Sequence, residues 1–159
     1  MTTRSAERLR RHIAKALAVL ATDHDRQDRL WRATQQLAVS GSSIDINTVG
    51  DVGFALAKAG YGAQLPWAAM ACSSDANMRS LAAALIPYVP DVDPELTTNM
   101  ATDPKLQVRR ELAQAIVNIS KDPEGANSSQ HDEWIDAVVN ILRADPSYHV
   151  RQILGRLGS

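Results

Sequence analysis

Cysteine occurs once in this 159-residue chain, and phenylalanine, tryptophan and tyrosine together occur only seven times. One cysteine excludes a disulfide framework and a multi-cysteine metal site, and it suits a reducing compartment, so a cytoplasmic location is expected. The shortage of aromatic residues argues against a sheet with an aromatic, β-branched core. Unbroken apolar runs extend only a few residues, so no membrane span is expected. The first residues lead into a segment too charged to be the apolar core of a secretory signal. No charge of one sign dominates: 17 Lys and Arg face 18 Asp and Glu, for a net charge of −1. Any nucleic-acid role therefore needs a local basic face.

Alanine and leucine are abundant, 24 and 15 residues, about a quarter of the chain. That balance favours helices packed through small side chains. Hydrophobic residues make up 45% and charged residues 22%, the composition of one globular domain over 1–159 rather than a disordered chain. The periodicity predicts a first helix over 5–21, with Leu9, Ile13, Ala16, Leu17 and Leu20 on one stripe. A second helix is expected over 26–39, with Leu30, Ala33, Thr34 and Leu37 inward, and the two form an N-terminal capping pair over 5–40. An insertion with an extra helix occupies 41–60, where Thr48 and Asp51 suggest a capping box and Gly60 a left-handed stop. Further helices are expected over 66–72, 76–86, 94–101, from Asp103-Pro104 to Ser120, from Ser129 or Asp132 through Leu142, and from Asp145-Pro146 onward. The expected fold class is all-α.

Self-similarity is the most informative feature. The segments Asp103-Pro-Lys-Leu-Gln-Val-Arg109 and Asp145-Pro-Ser-Tyr-His-Val-Arg151 place Asp, Pro, Val and Arg at identical offsets. A third segment, Ser73-Ser-Asp-Ala-Asn-Met-Arg79, keeps the apolar residue and the arginine, with Asp75 displaced to four before Arg79. A fainter fourth, Asp23 to Arg29, keeps the six-residue spacing and matches Gln27 to Gln107. The arginines are separated by 50, 30 and 42 residues (29 to 79, 79 to 109, 109 to 151), a diverged spacing with insertions in loops.

These turns, each leading into an Ala-rich helix, resemble the HEAT repeats of armadillo-type α-solenoids, and residues 92–110 are similar to the leucine-rich-repeat-variant pattern. The resemblance is best over 61–159 and weaker over 5–40; it departs from the family where Pro is missing at Ser73 and Asp23. It implies a short right-handed solenoid of about four diverged antiparallel helix pairs, which must stack to build a continuous core. It also implies a structural motif of Asp75, Arg79, Asp103, Pro104, Val108, Arg109, Asp145, Pro146, Val150 and Arg151. In such proteins the arginine reaches the equivalent aspartate of an adjacent repeat, so a ladder of Arg79, Arg109 and Arg151 with Asp75, Asp103 and Asp145 is expected. The second helices line a binding surface in this family. On that basis Arg110, Gln114, Asn118, Gln152 and Arg156 are candidate partner contacts, with Asn77 and Ser80 continuing the surface. The implied function is a non-catalytic protein-interaction or scaffold module. The iron–sulfur cluster associated with the leucine-rich-repeat-variant family has no counterpart here, since Cys72 stands alone. No cofactor is expected.

Outside the repeats, Arg4, Arg8, Arg11 and Lys15 share one face of the first helix. A terminal helix needs such a solvated face, but the stripe also makes nucleic-acid binding the alternative function. His12, His24, His131 and His149 fall on different elements without a ligand spacing, so no metal site is expected. The Gly50 and Gly53 region lacks the Lys and Ser/Thr of a phosphate loop, and Ser42 and Ser43 lack a nucleophile elbow. Cys72, Trp31, Trp67 and Trp134 read as packing residues. A second alternative is an alkylated-base DNA glycosylase of HEAT-like fold, with Trp31 and Asp28 as its aromatic and acid; neutral charge and short length weigh against it, and no enzymatic activity is expected. The C-terminus runs out within the last repeat helix without a polar cap, which another copy of the chain, or the rest of a longer protein, would cover.

Overall fold

The computed structural model describes residues 26–32, 52–121 and 132–157. The chain divides into two compact units, residues 1–62 and 63–159. Within the described residues every regular element is helical and there is no strand.

In the first unit, residues 26–32 (α1) and 52–58 (α2) are helical. Trp31, Val52, Leu56, Ala57 and Tyr61 are buried. The α2 helix stops as its sequence requires. Gly60 adopts φ +89° and donates its N–H to the Ala57 carbonyl at 3.1 Å, a left-handed stop that glycine adopts without strain. The expected first helix, the capping box at Thr48 and Asp51, and the end of the second helix lie outside the described residues. A 3₁₀ turn, Tyr61–Gln64, leads out of this unit.

The described residues of the second unit form six α-helices: α3 (Trp67–Ala71), α4 (Ala76–Leu85), α5 (Pro94–Ala101), α6 (Leu106–Lys121), α7 (Asp132–Arg143) and α8 (Tyr148–Leu154). A 3₁₀ turn, Ile86–Tyr88, extends α4, so Pro87 tightens the last turn rather than ending the helix outright. Helices α4, α6 and α8 form one packed row, with α4 on α6 and α6 on α8. Helices α3, α5 and α7 form a second row, and each packs on its successor in the chain: α3 on α4, α5 on α6, α7 on α8.

That arrangement explains which faces are buried. Helix α6 has neighbours on several sides, so Val108, Leu112, Ala113, Ala115, Ile116 and Val117 are all buried. The sequence periodicity places only Val108, Leu112, Ala115 and Ile119 on one inward stripe; the buried surface is wider than that, and Ile119 is only half-buried. Leu85, Leu112, Leu142, Val108 and Val150 are fully enclosed, each contributing about 1.5–3 kcal/mol by removal from water. Ala82, Ala83, Ala113 and Ala115 bury small side chains in the α4–α6 row, which lets helices approach closely. The Trp67 indole N–H donates to the Ala82 carbonyl at 2.8 Å and ties α3 to α4.

Candidate functional site

The second unit turns three times from the α3, α5, α7 row into the α4, α6, α8 row, and the three turns share one set of contacts. At each, the N–H of the first turn residue bonds back three residues at 3.2 Å: Ser73 to Met70, Asp103 to Met100, Asp145 to Leu142. The side-chain oxygen of that same residue then accepts an N–H two residues on. Ser73 Oγ accepts from Asp75 at 3.1 Å, Asp103 Oδ1 from Lys105 at 2.8 Å, and Asp145 Oδ1 from Ser147 at 2.7 Å. Finally, an arginine six residues on donates Nη1 to its backbone carbonyl: Arg79 to Ser73 at 2.8 Å, Arg109 to Asp103 at 2.6 Å, and Arg151 to Asp145. The six-residue interval is the distance from the turn oxygen to the first inward face of the following helix, where Val108 and Val150 are buried one residue earlier.

Two of these arginines also reach forward to the next turn. Arg79 Nε donates to Asp103 Oδ2 at 2.6 Å, with Nη2 to Oδ1 at 3.2 Å. Arg109 does the same with Asp145, at 2.6 and 3.5 Å. In each aspartate Oδ1 thus accepts both the N–H of its own turn and the preceding arginine's Nη2, while Oδ2 takes that arginine's Nε. Asp103 and Asp145 are 6% and 4% exposed, so they need these partners; an unpaired buried carboxylate is costly. Burial pushes the Asp103 carboxyl up, but the Arg79 hydrogen bond, the Lys105 N–H and the Arg109 charge outweigh it and hold the carboxyl below its usual range. The bond to Asp103 in turn raises Arg79 above the ordinary arginine value.

One expected member of the ladder is corrected by this geometry. Asp75 is not the counterpart of Asp103; Ser73 is. Asp75 is the N-cap of α4 and accepts from the Asn77 N–H at 2.9 Å; its backbone (φ −78°, ψ 118°) matches Ser147 before α8 (φ −77°, ψ 121°). The reason is backbone register: Arg79 sits six residues after Ser73, and that spacing, visible in the sequence, outweighs the shared identity of Asp75 and Asp103. Pro104 and Pro146 lie inside their turns, and the helices start two residues later, at Leu106 and Tyr148. Pro94, after the capping Asp93, is the first residue of α5.

The candidate partner face falls on α4, α6 and α8. Arg110 and Asn118 are exposed on α6, and half-buried Gln114 donates Nε2 to Asn118 Oδ1 at 3.0 Å. Gln152 and Arg156 are exposed at α8 and just beyond it, and Asn77 is half-buried on α4. Ser80 does not continue this face: it is buried and its Oγ has no hydrogen-bond partner, whereas Arg110 and Gln152, at the same offset on α6 and α8, are exposed. Beside Arg110, burial pushes the Glu111 carboxyl up, with the Arg110 charge opposing, and Gln107 Nε2 donates to Glu111 Oε1 at 2.7 Å.

The remaining candidates separate. Trp31, Trp67 and Trp134 are buried. Cys72, expected to be buried, is exposed, because it follows the inward positions Met70 and Ala71 at the end of α3. Asp28 is exposed and accepts the Tyr61 hydroxyl; burial, then this bond, push the Tyr61 pKa up to about 12. Gln27 is buried where Gln107 is exposed, so the offset match of the faint fourth segment does not extend to burial. His149 is exposed and meets Tyr148 edge-on at 6.1 Å. Arg4, Arg8, Arg11, Lys15, His12, His24 and His131 lie outside the described residues. Among the described residues no group of three or more His, Cys, Asp or Glu side chains is placed to hold a metal ion, and no helix is long and apolar enough to cross a membrane. Comparison of the chain with protein-family models, curated proteins and solved structures finds no match.

Proposed function

We propose that this chain is a non-catalytic protein-interaction or scaffold module, built as a short HEAT-like α-solenoid whose second helices carry the binding face. The observation that carries the reading is the threefold recurrence of one turn, in which an arginine holds its own turn carbonyl and, in two cases, the carboxylate of the next turn. Such a device gives stacked helix pairs a fixed register, and a fixed stack presents an extended surface of side chains from several helices. On α6 that surface is polar: Gln107, Arg110, Gln114 and Asn118 suit hydrogen bonds to a polypeptide rather than a reaction.

The test compares capture of partners from a cell lysate by the intact protein and by the triple variant Arg110→Ala, Gln114→Ala, Asn118→Ala, with binding of the captured species then measured using purified components. Partners held by the intact protein and lost at least tenfold by the variant support the face. Partners held equally by both remove it, and binding of duplex DNA that weakens steeply with salt replaces it with the nucleic-acid alternative.

A further inference from the structure

The net charge of −1 hides a division of charge between the two rows of the second unit. In helices α4, α6 and α8 with the turns leading into them (73–88, 103–121 and 145–157), Lys105, Arg110, Lys121 and Arg151 are exposed and no Asp or Glu is. Asp103 and Asp145 are buried and paired, Asp75 is a half-buried cap, and half-buried Glu111 accepts from Gln107. The other row (67–72, 89–102 and 132–144) has the opposite sign. There Asp91, Asp93, Glu95 and Asp136 are exposed, and the sequence holds one cation, Arg143. Salt screens exposed charges beyond about 10 Å, so a partner meets the local sign of a row rather than the net charge of the chain.

The open positions of α6 form one line. Arg110, Gln114, Asn118 and Lys121 follow one another at intervals of four, four and three residues. The two cations stand about 16 Å apart along the helix axis, a span that an extended chain covers in about five residues. Between them Gln114 Nε2 donates to Asn118 Oδ1, which leaves Gln114 Oε1 to accept and Asn118 Nδ2 to donate. A peptide group supplies both partners. A phosphate backbone supplies acceptors alone, and it carries a charge at about every 3.4 Å of strand, which Glu111 beside Arg110 repels. A peptide can leave that position uncharged. Helix α6 is the middle helix of its row, packed on α4 and on α8, so this line is not an end that a continuing stack would cover.

We propose that the open face of α6 binds an acidic, extended segment of a protein partner, with carboxylates received by Arg110 and Lys121 and a peptide group held between them by Gln114 and Asn118. The inference rests on the interaction reading above and names the chemistry of the partner. Complementary charge sets its sign, and the amide pair sets its class.

The test uses the intact chain and, as probe, a fluorescent twelve-residue peptide of alternating Glu and Ser, read by anisotropy at low salt; circular dichroism establishes that each variant is folded. The peptide is expected to bind, and its counterpart of alternating Gln and Ser is not. Arg110→Gln and Lys121→Gln are each expected to weaken binding about tenfold. Arg143→Gln removes the same charge from the other row and is expected to leave binding unchanged. Absence of binding by the intact chain overturns the proposal. Equal weakening by Arg110→Gln and Arg143→Gln also overturns it, because net charge alone then drives the contact. Tighter binding of a twelve-nucleotide single-stranded DNA makes the face a nucleic-acid surface, and the peptide assignment falls. If sedimentation finds self-association that Asp91→Asn with Glu95→Gln abolishes, the occupant is the acidic row of a second copy and the partner assignment is wrong. If partners captured through Arg110, Gln114 and Asn118 are not displaced by the Glu peptide, the interaction face stands and the acidic assignment falls.

Discussion

The turns at Ser73 and at Asp103 make the same contacts to their own backbones with different side chains. Each first residue bonds back to the helix before it, accepts the N–H two residues on, and gives its carbonyl to an arginine six residues later. A hydroxyl performs the first turn and a carboxylate the second. The difference is what each receives from outside: Asp103 takes Arg79 from the preceding turn, whereas a serine has no charge to offer an arginine. Turn geometry therefore needs only an oxygen, and the carboxylate serves the link between successive helix pairs. Arg151 completes the comparison from the other side, anchored in its own turn with no ion pair to a carboxylate among the described residues.

The largest expected effect breaks the link. Asp103→Ala removes the cap and strands Arg79, and Asp145→Ala does the same to Arg109; each is expected to cost about 3–5 kcal/mol in urea unfolding. Ser73→Ala removes only a cap and is expected to cost about 1 kcal/mol. Equal losses at Ser73 and Asp103 would erase the distinction between the two turns. Gly60→Ala, in the other unit, is expected to cost about 1–2 kcal/mol from the left-handed backbone alone, because an added Cβ meets nothing within 4 Å. Smallest of all, Ser73→Asp supplies a carboxylate where none of the described arginines arrives from an earlier turn, and thermal unfolding should stay within about 0.5 kcal/mol of the parent.

Acid unfolding sharpens the same contrast. The Asp103 carboxyl is held below its ordinary value in the folded state, so the unfolded chain binds the proton more readily. Its stabilising contribution is complete above the ordinary carboxylate range and is lost as pH falls through and below it. Glu111 is displaced in the opposite direction, so its contribution is present at low pH and is lost as pH rises through its raised value. The urea midpoint of Asp103→Asn should therefore fall less steeply with acid than that of the parent, and that of Glu111→Gln more steeply. Ser73→Ala should leave the slope unchanged.

Much of the helical layout was legible. Alanine and leucine content, the Asp93-Pro94 start and the end of α5 at Ala101 all follow from local propensity and capping. Local signals misplaced the starts of α6 and α8, because Pro104 and Pro146 look like first-turn prolines until the turn oxygens claim the next N–H groups. The identity of Asp75 and Asp103 concealed that Ser73 holds the turn, although the six-residue spacing to the arginine carried that information. Burial around α6 was read too narrowly, since periodicity reports one face and cannot count the neighbours that pack on the others. Enclosure of Ser80 is a tertiary outcome with no local signature.

The central claim is that Arg79 and Asp103 act as a pair across turns rather than as two separate turn residues. A double-mutant cycle of Arg79→Ala and Asp103→Ala, read by urea unfolding, measures that directly. The account predicts a favourable coupling of about 1.5–3 kcal/mol, the range of charge-assisted hydrogen bonds. Strictly additive losses from the two substitutions would contradict it.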